Sequence, residues 1–259
     1  MKIIPSSLAA FVAFIGFSLT AQAQVIANLG AAANFAVLAG STITNTGPSI
    51  LNGDLGLIPG GTVSGFPPGT LLGTPHISDA TAASAQNSLA TAIAFLTGQG
   101  TMVDLTGQDL GGKVLTPGVY GWSTSAQMTG TLTLNGQGDA NAAFIFKISS
   151  TLTTASGSNV VFTNGGQAAN TFWQVGTSAT LGTTTSFAGN ILAQTFITLN
   201  TGANIDGRLL ARIGAVTLDT NNVTIPTAVP EPAATSVLVA GLFGLIVIVR
   251  KFRQTRAVS

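Results

Sequence analysis

Three consecutive segments of this chain, which together cover residues 172–224, repeat one pattern with a period of about 18 residues. Large apolar residues recur in fixed columns of the repeat, and one column holds Trp173, Ile191 and Leu209. Short β-like runs alternate with Gly and Asn in every copy. This pattern predicts the coils of a three-sided β-solenoid, because each coil must supply one strand to each side and then stack on the next coil.

Two further columns support the same alignment. They hold Val175, Ala193 and Ala211 in one case and Phe187, Ile205 and Val223 in the other. The runs ATLGT, ITLNT and VTLDT also superpose if the third copy carries one extra residue, and looser copies begin near Gly118 and Phe144. The repeat therefore extends beyond its three clearest copies.

One side of each predicted coil needs an external partner. The strands containing FWQV, NILA and RLLA have large apolar residues pointing both ways, so both of their faces must be covered. The sequence predicts one soluble helix, at about residues 78–97, with Ser78 as its cap, Asp79 in its first turn and Gly98 at its end. A helix of this length can lie along about six coils, so we expect it to pack lengthwise on the NILA and RLLA side.

The other two sides of the coils carry short polar side chains. Alternation in the ATLGT, ITLNT and VTLDT runs places Thr180, Thr198 and Thr217 outward. The register of the neighbouring side, which holds TTTSF, TGANI and TNNV, stays open because all of its outward candidates are small. Both sides are expected to be flat and nearly uncharged.

A rigid lattice of hydroxyl and methyl groups is suited to recognising a periodic surface. Threonine has a stiff χ1 angle, its hydroxyl can order water, and its methyl group leaves that water few competing partners. The alternative is that threonine is abundant only because it has a high β propensity.

The composition excludes several classes of function. Only 7% of residues are charged, and residues 24–229 contain four Lys and Arg against seven Asp, a net charge of −3. No basic stripe exists for phosphate contacts, so nucleic-acid binding is not expected. The chain has no Cys, which excludes disulfides and thiolate metal sites.

The N-terminus has the organisation of a signal peptide, predicted for residues 1–23. Lys2 is followed by an apolar stretch at residues 8–19 and by the small-residue cleavage pattern Ala21-Gln22-Ala23. The alternative is a membrane anchor, for which the apolar run is short. We therefore expect the mature protein to be exported.

The C-terminus has a three-part organisation. A short motif consists of Val229, Pro230, Glu231 and Pro232. It is followed by an uncharged segment at residues 233–249, predicted to be a transmembrane helix, and by a basic tail that ends at Arg256. Residues 229–256 resemble the PEP-CTERM sorting signal of Gram-negative bacteria, which implies transient anchoring in the inner membrane and removal by an exosortase-type protease. A permanent anchor is the alternative.

The body of the chain resembles the microbial ice-binding family over roughly residues 28–225. The resemblance is carried by LGAAANFAVLAGSTITNTG, LTGQDLGGKVLTPGVY and GNILAQTFITLNTGANIDGRLLARIGAVTLDTNN, among other motifs. It implies a discontinuous right-handed β-solenoid of triangular section, all-β except for one α-helix packed lengthwise along one face. It therefore divides the chain into a signal peptide, an ice-binding-like domain at residues 24–228 and the sorting signal.

The same resemblance implies adsorption to ice, and inhibition of its recrystallisation, through one flat face. Some members carry the pattern T-G/A-x-T/N on that face, and residues 201–204 match it. The candidate ice-binding residues are Thr183, Thr185, Thr201, Ala203, Asn204, Thr220 and Asn222, and the alternative face carries Thr180, Thr198 and Thr217.

Other chemistry is weakly indicated. His76 is the sole histidine and has no Cys or acidic cluster beside it, so no metal site or cofactor is expected. Asp104, Asp109 and Asp139 lie in Gly-rich turns, where carboxylates accept bonds from backbone N–H groups, so no catalytic residue is assigned. The alternative to an ice-binding protein is a structural protein of an extracellular matrix, with exopolysaccharide as a partner.

Overall fold

The computed structural model describes residues 26–227. Within this range there are 24 short β-strands, one α-helix and two 3-10 helices. The predicted signal peptide (residues 1–23), sorting motif (229–232) and transmembrane helix (233–249) lie outside the described range. Inside it, no helix has both the length and the apolar character that a bilayer span needs.

The strands are short, and along the chain they form one group before the helix and one group after it. Before the helix lie β1 (Phe35–Ala39), β2 (Ile43–Thr46), β3 (Ile50–Asn52), β4 (Asp54–Leu57), β5 (Val63–Ser64), β6 (Thr70–Leu71) and β7 (Pro75–Ile77). The helix is α1 (Ala80–Gly98), and the 3-10 helices are Gly30–Asn34 and Ala168–Asn170. After α1 lie β8 (Val103–Asp104), β9 (Val114–Leu115), β10 (Gly118–Trp122), β11 (Ala126–Met128), β12 (Thr131–Asn135), β13 (Phe144–Ile148), β14 (Leu152–Thr154), β15 (Asn159–Thr163), β16 (Thr171–Val175), β17 (Ala179–Leu181), β18 (Ser186–Ala188), β19 (Asn190–Ala193), β20 (Ile197–Leu199), β21 (Asn204–Asp206), β22 (Leu209–Ala211), β23 (Val216–Asp219) and β24 (Asn222–Thr224).

The strands form three sheets, and successive strands pass from one sheet to the next. Sheet A has the order β7-β4-β1-β22-β19-β16-β13-β10-β8, sheet B the order β11-β14-β17-β20-β23-β2-β5, and sheet C the order β6-β3-β24-β21-β18-β15-β12-β9. One passage through sheets A, B and C is called a coil below. Neighbouring coils pair in parallel, so the described residues form a stack of coils.

The register of the last coils confirms the repeat in the sequence. All three apolar columns occupy paired positions in neighbouring strands. The extra residue of the third copy is also present, because Thr198 pairs with Thr217, 19 positions later, whereas Ile205 pairs with Val223, 18 positions later.

Aromatic rings from successive coils fill the interior. The rings of Phe146 and Trp173 stack with centroids 3.9 Å apart, and Phe187 lies 4.8 Å from Trp173. Trp173 is fully buried, and its Nε1 donates a hydrogen bond to the carbonyl of Ala188 at 3.0 Å. Large rings bury much apolar area, so these contacts stabilise the packing inside the coils and between them.

The first coils of the chain stack on its last coils. Strand β1 pairs with β22, β2 with β23 and β3 with β24, so the N-terminal strands continue the stack where the C-terminal strands end. Arg208 links the two parts, because its Nε donates to the carbonyl of Ala33 and its Nη1 to Oδ1 of Asn190, both at 2.8 Å. Burial lowers the pKa of Arg208 to about 10, and the nearby charge of Asp206 opposes this effect.

Helix α1 connects the two ends of the stack and lies along sheet A. Leu89 and Leu96 are buried against the outward apolar residues of that sheet, which confirms the predicted docking side. The helix spans Ala80–Gly98 instead of residues 78–97. Its N-cap is Asp79 instead of the predicted Ser78, because the Asp79 carboxylate accepts a bond from the N–H of Ala82 at 2.8 Å.

Candidate functional site

The outward face of sheet B carries an unbroken row of threonines. In β17, β20 and β23 the residues on either side of the central threonine are buried, so Thr180, Thr198 and Thr217 face outward. The register adds one threonine from the coil at each end of this group. The resulting threonine ladder consists, in spatial order, of Thr153, Thr180, Thr198, Thr217 and Thr44.

Further uncharged groups extend and border the threonine ladder. Gln127 continues the row at one end and Ser64 at the other. The residues two positions before the ladder in each strand form a second row: Ser125, Thr151, Ser178, Phe196, Ala215, Thr42 and Thr62. Neither row contains an ionisable side chain. Because neighbouring parallel strands are about 4.8 Å apart, the threonine side chains repeat at that interval.

Hydrogen bonds between coils restrain several of these hydroxyl groups. Thr44 Oγ1 donates to Thr217 Oγ1 at 3.3 Å, and Thr151 Oγ1 donates to Ser125 Oγ at 2.7 Å. The one large side chain on the face is Phe196 in the second row, which is 53% exposed. The surface is therefore composed of short, restrained side chains with a single ring at its border.

The outward face of sheet C is chemically mixed. It carries the carboxylate of Asp206 and the exposed apolar side chains of Ile50 and Val161. Burial raises the pKa of Asp206 above its usual value, and the positive charge of Arg208 opposes this rise. The face therefore lacks the uniform hydroxyl pattern of sheet B.

The candidates from the T-G/A-x-T/N pattern lie where sheet B passes into sheet C. Of the candidates predicted from this pattern, those with exposed side chains are Thr183, Thr201, Asn204, Thr220 and Asn222. Asn204 is engaged with backbone, since its Oδ1 accepts from the N–H of Asn222 at 2.7 Å and its Nδ2 donates to the carbonyl of Gly202 at 3.0 Å.

Thr185 and Ala203 are both fully buried at this corner, so these two candidates are corrected. Thr185 Oγ1 is hydrogen-bonded to Thr154 Oγ1 at 2.9 Å and donates to the carbonyl of Ala155 at 3.2 Å. The carbonyl of Ala203 accepts a bond from Asn221 Nδ2 at 2.7 Å. Both side chains point inward and close the corner, so they have no contact with the surface.

The register also corrects the alignment of the third copy. The sequence alignment places Thr220 beside Thr201, but the N–H of Gly202 bonds to the carbonyl of Asp219 at 3.1 Å, which places Asp219 there. Equivalent bonds reach the carbonyls of Thr183, Thr201 and Thr46. These four residues, Thr183, Thr201, Asp219 and Thr46, are called the corner row. The step of 18 between Thr201 and Asp219 was the signal in the sequence that could have identified this carboxylate.

Comparison with known families identifies the chain. The family model described as "Ice-binding-like" matches residues 37–224. The chain belongs to this family. An ice-binding protein of Nostoc sp. (strain HG1) is 54% identical over 256 residues, which cover 95% of each chain. An ice-binding protein of Flavobacterium frigoris (strain PS1) is 35% identical over 226 residues, covering 81% of this chain and 80% of that one.

Solved structures of ice-binding proteins resemble this ice-binding-like chain in fold. The protein from the Antarctic ascomycete Antarctomyces psychrotrophicus has a TM-score of 0.77 at 41% identity, over 78% of this chain and all of that one. One from an Antarctic biological consortium has a TM-score of 0.77 at 42% identity, over 87% of this chain and 97% of that one.

Several other polar residues among residues 26–227 of this ice-binding-like chain have structural partners. His76 Nδ1 lies 2.7 Å from Asp79 Oδ2, and among residues 26–227 no group of His, Cys, Asp and Glu could hold a metal ion. Asp104 accepts bonds from the N–H and hydroxyl of Thr106, which lower its pKa. Trp122 is buried, which leaves its ring no surface on which a sugar could stack.

Proposed function

We propose that this protein binds ice through the threonine ladder of sheet B. The observation that carries the proposal is the register, which brings five threonines from successive coils into one row without a charged side chain. Support comes from the family, whose relatives from Nostoc and Flavobacterium are ice-binding proteins. The protein acts by adsorption, and no enzymatic activity is proposed.

The mechanism follows from the properties of threonine on a rigid sheet. Each β-branched side chain has a restricted χ1 angle, so its hydroxyl and methyl groups keep fixed positions. Water that bonds to the hydroxyl groups is ordered at the coil spacing of about 4.8 Å. Each ordered water costs at most about 2 kcal/mol of entropy. A surface that is already rigid pays little more on binding, so many weak contacts add up to stable adsorption.

Sheet B is favoured over sheet C because of its two rows of uncharged side chains and its free polar groups. The carboxylate of Asp206 on sheet C holds its own hydration shell, which competes with the order of an ice surface. The carboxylate of Asp219, at the corner of sheet B, instead accepts hydrogen bonds from threonine hydroxyl groups on both of its oxygens. The candidate Asn204 on sheet C has its side-chain oxygen and nitrogen engaged with backbone. We therefore assign ice contact to Thr180, Thr198 and Thr217, with Thr183 and Thr201 of the corner row beside them.

The fold and the terminal segments complete the proposal. We infer that the coils form a right-handed β-solenoid of triangular section, which is discontinuous in chain order because the N-terminal coils stack on the C-terminal ones. Residues 1–23 direct export, and residues 229–256 act as a PEP-CTERM signal that an exosortase-type protease processes at the inner membrane. The mature protein then resides at the cell surface or in the extracellular matrix, where it meets ice.

The test compares the same substitution on two faces. Thr198→Tyr places a ring in the centre of the threonine ladder, and Thr224→Tyr places one on sheet C. We expect Thr198→Tyr to remove the protein from the ice fraction in ice-affinity partitioning, while Thr224→Tyr partitions like the wild type. Both variants should stay close to the wild-type melting temperature, because both side chains point outward from their sheets, Thr198 half-buried and Thr224 exposed.

Three results would count against this assignment. Loss with Thr224→Tyr alone would move the site to sheet C. Loss with Thr201→Tyr but not with Thr198→Tyr would place it at the corner. A wild-type protein that stays in the liquid fraction would exclude ice binding and favour a structural role in an exopolysaccharide matrix.

A further inference from the structure

The corner row contains one carboxylate, that of Asp219, and each of its two oxygens accepts a hydrogen bond from a threonine hydroxyl group. Thr201 Oγ1 donates to Asp219 Oδ2, and Thr220 Oγ1 donates to Asp219 Oδ1 at 3.1 Å. Asp219 has no salt-bridge partner within residues 26–227. We propose that Asp219 is a positioning residue of the ice-binding surface, which sets the direction of these two hydroxyl protons; this inference rests on the function proposed above.

The chemistry of a carboxylate fixes the proton direction. An ionised carboxylate only accepts hydrogen bonds, and a hydroxyl group has a single proton to donate. Thr201 and Thr220 must therefore both point their protons at Asp219, and each oxygen presents only lone pairs to water. Between Ser178 and Thr195, by contrast, the direction is free, because either hydroxyl could donate. Bonds to an ionised acceptor are also stronger than those between neutral groups.

The position of Asp219 connects the corner row to the threonine ladder. Asp219 lies two residues after Thr217 in β23, so both side chains leave the strand on the outward face of sheet B. The main chain at this point is held firmly. The N–H of Asp219 donates to Asn221 Oδ1 at 2.6 Å, and Asn221 Nδ2 donates to the carbonyls of Asn200 and Ala203 at 2.9 and 2.7 Å.

The oxygens of Thr201 and Thr220 can only accept hydrogen bonds from water, and this restricts how water molecules orient on the surface. A water molecule beside Thr201 or Thr220 must donate a proton to it, so its orientation is selected before ice arrives. Since the hydroxyl groups need no reorientation on adsorption, the entropic cost of binding falls. Asp219 thus increases adsorption through the two threonines without contacting ice itself.

The decisive variant keeps the shape of Asp219 and changes only its bonding. Asp219→Asn replaces one acceptor oxygen with an NH2 donor, so one of the two hydroxyl groups must turn its proton outward. We expect thermal hysteresis at equal concentration of folded full-length protein to fall clearly below the wild-type value, because one hydroxyl group loses its fixed direction. The melting temperature should change little, because Thr201 and Thr220 are exposed. Asp206→Asn makes the same chemical change on sheet C and should leave hysteresis unchanged.

A double-mutant comparison shows whether Asp219 acts through the threonines. Thr201→Val with Thr220→Val removes both hydroxyl groups and keeps both shapes, and it should cause a loss at least as large as that caused by Asp219→Asn. Adding Asp219→Asn to this pair should cause no further loss. A further loss of the same size, or wild-type hysteresis in Asp219→Asn, would overturn the inference. A wild type without hysteresis would instead overturn the proposed function.

Discussion

Two threonines of the corner occupy backbone conformations that favour glycine. Thr184 and Thr220 have φ values of 55° and 56°, and Gly202 and Gly47, at the same position in neighbouring coils, also have positive φ. A β-branched residue is strained in this region. The neighbouring glycines provide the necessary room, since a Cβ added to Gly47 would lie 2.3 Å from Thr220 Oγ1. The chain thus keeps two hydroxyl groups at this corner at a cost in stability.

Relieving this strain should increase stability. Thr184→Gly removes the clash of a β-branched side chain, and we expect it to raise the free energy of unfolding by about 0.5–1 kcal/mol after the greater flexibility of glycine is counted. Denaturant unfolding measures the change. Thr183→Gly, at the adjacent exposed position with an ordinary φ, should instead lower stability. A lower unfolding midpoint for Thr184→Gly than for the wild type would show that Thr184 is not strained.

Some features of helix α1 follow from its local sequence, and others depend on the rest of the structure. Its length and its apolar stripe were predictable because both depend on local sequence. Its cap was not, since Ser78 and Asp79 are both good N-cap residues. Ser78 has a φ of 55°, and the Asp79 carboxylate is placed to accept the N–H of Ala82. At the other end, Lys147 Nζ donates to the carbonyl of Thr97 at 2.8 Å and ties the helix to β13.

The Asp79 N-cap makes the stability of the folded protein depend on pH. The bond from the Ala82 N–H, followed by the contact with His76, lowers the pKa of Asp79 below its ordinary value of 3.8. A lowered folded pKa means that the unfolded chain binds the proton more tightly. The stabilisation is therefore fully present above pH 3.8 and is lost as the pH falls through the lowered value.

Thermal unfolding of wild type and Asp79→Asn across this range measures the effect. We expect the difference in melting temperature between them to be constant near neutral pH and to shrink in acid. The other carboxylates are common to both proteins, so their titration cancels in the difference. A difference that stays the same down to pH 2 would show that the ionised form of Asp79 does not stabilise the helix.

The whole molecule depends on the closure between the first and last coils. The pairing of β1, β2 and β3 with β22, β23 and β24 joins segments about 170 residues apart. Arg208 is 8% exposed and bonds to Ala33 on one side of the joint and to Asn190 on the other. A buried guanidinium is costly unless its donors are satisfied, and these two acceptors bind two of its five N–H donors.

Removal of Arg208 should loosen this joint first. Arg208→Ala leaves the buried side-chain oxygen of Asn190 and the part-buried carbonyl of Ala33 without their donor, and we expect a loss of about 2 kcal/mol in the free energy of unfolding. Native-state hydrogen exchange should then show that amides of β1 and β4 lose protection before those of β13 and β16. Arg212→Ala, on the next turn after β22, is the control and should change little. Uniform loss of protection in all coils would contradict a local role for Arg208.

The sequence predicted much of the site, but it could not decide which side chains point outward where the strand register is ambiguous. Alternation alone indicated the outward direction of Thr198, because a buried residue on either side leaves only one orientation for it. The corner was ambiguous, because residues 201–204 are all small, and only packing shows that Ala203 points inward while Asn204 points outward. Asp219 was missed beside Thr201 because one extra residue shifts the third copy.

The sequence by itself determined the coil period, the apolar columns, helix α1 and its docking side, since each depends on a periodic pattern in a short stretch of sequence. Only the tertiary structure decided how the coils join. Thr44 lies beside Thr217 although 173 residues separate them, and this pairing completes the threonine ladder. The physical reason is that parallel pairing depends on which strand edges meet, and the local repeat is the same whichever coil lies next to it.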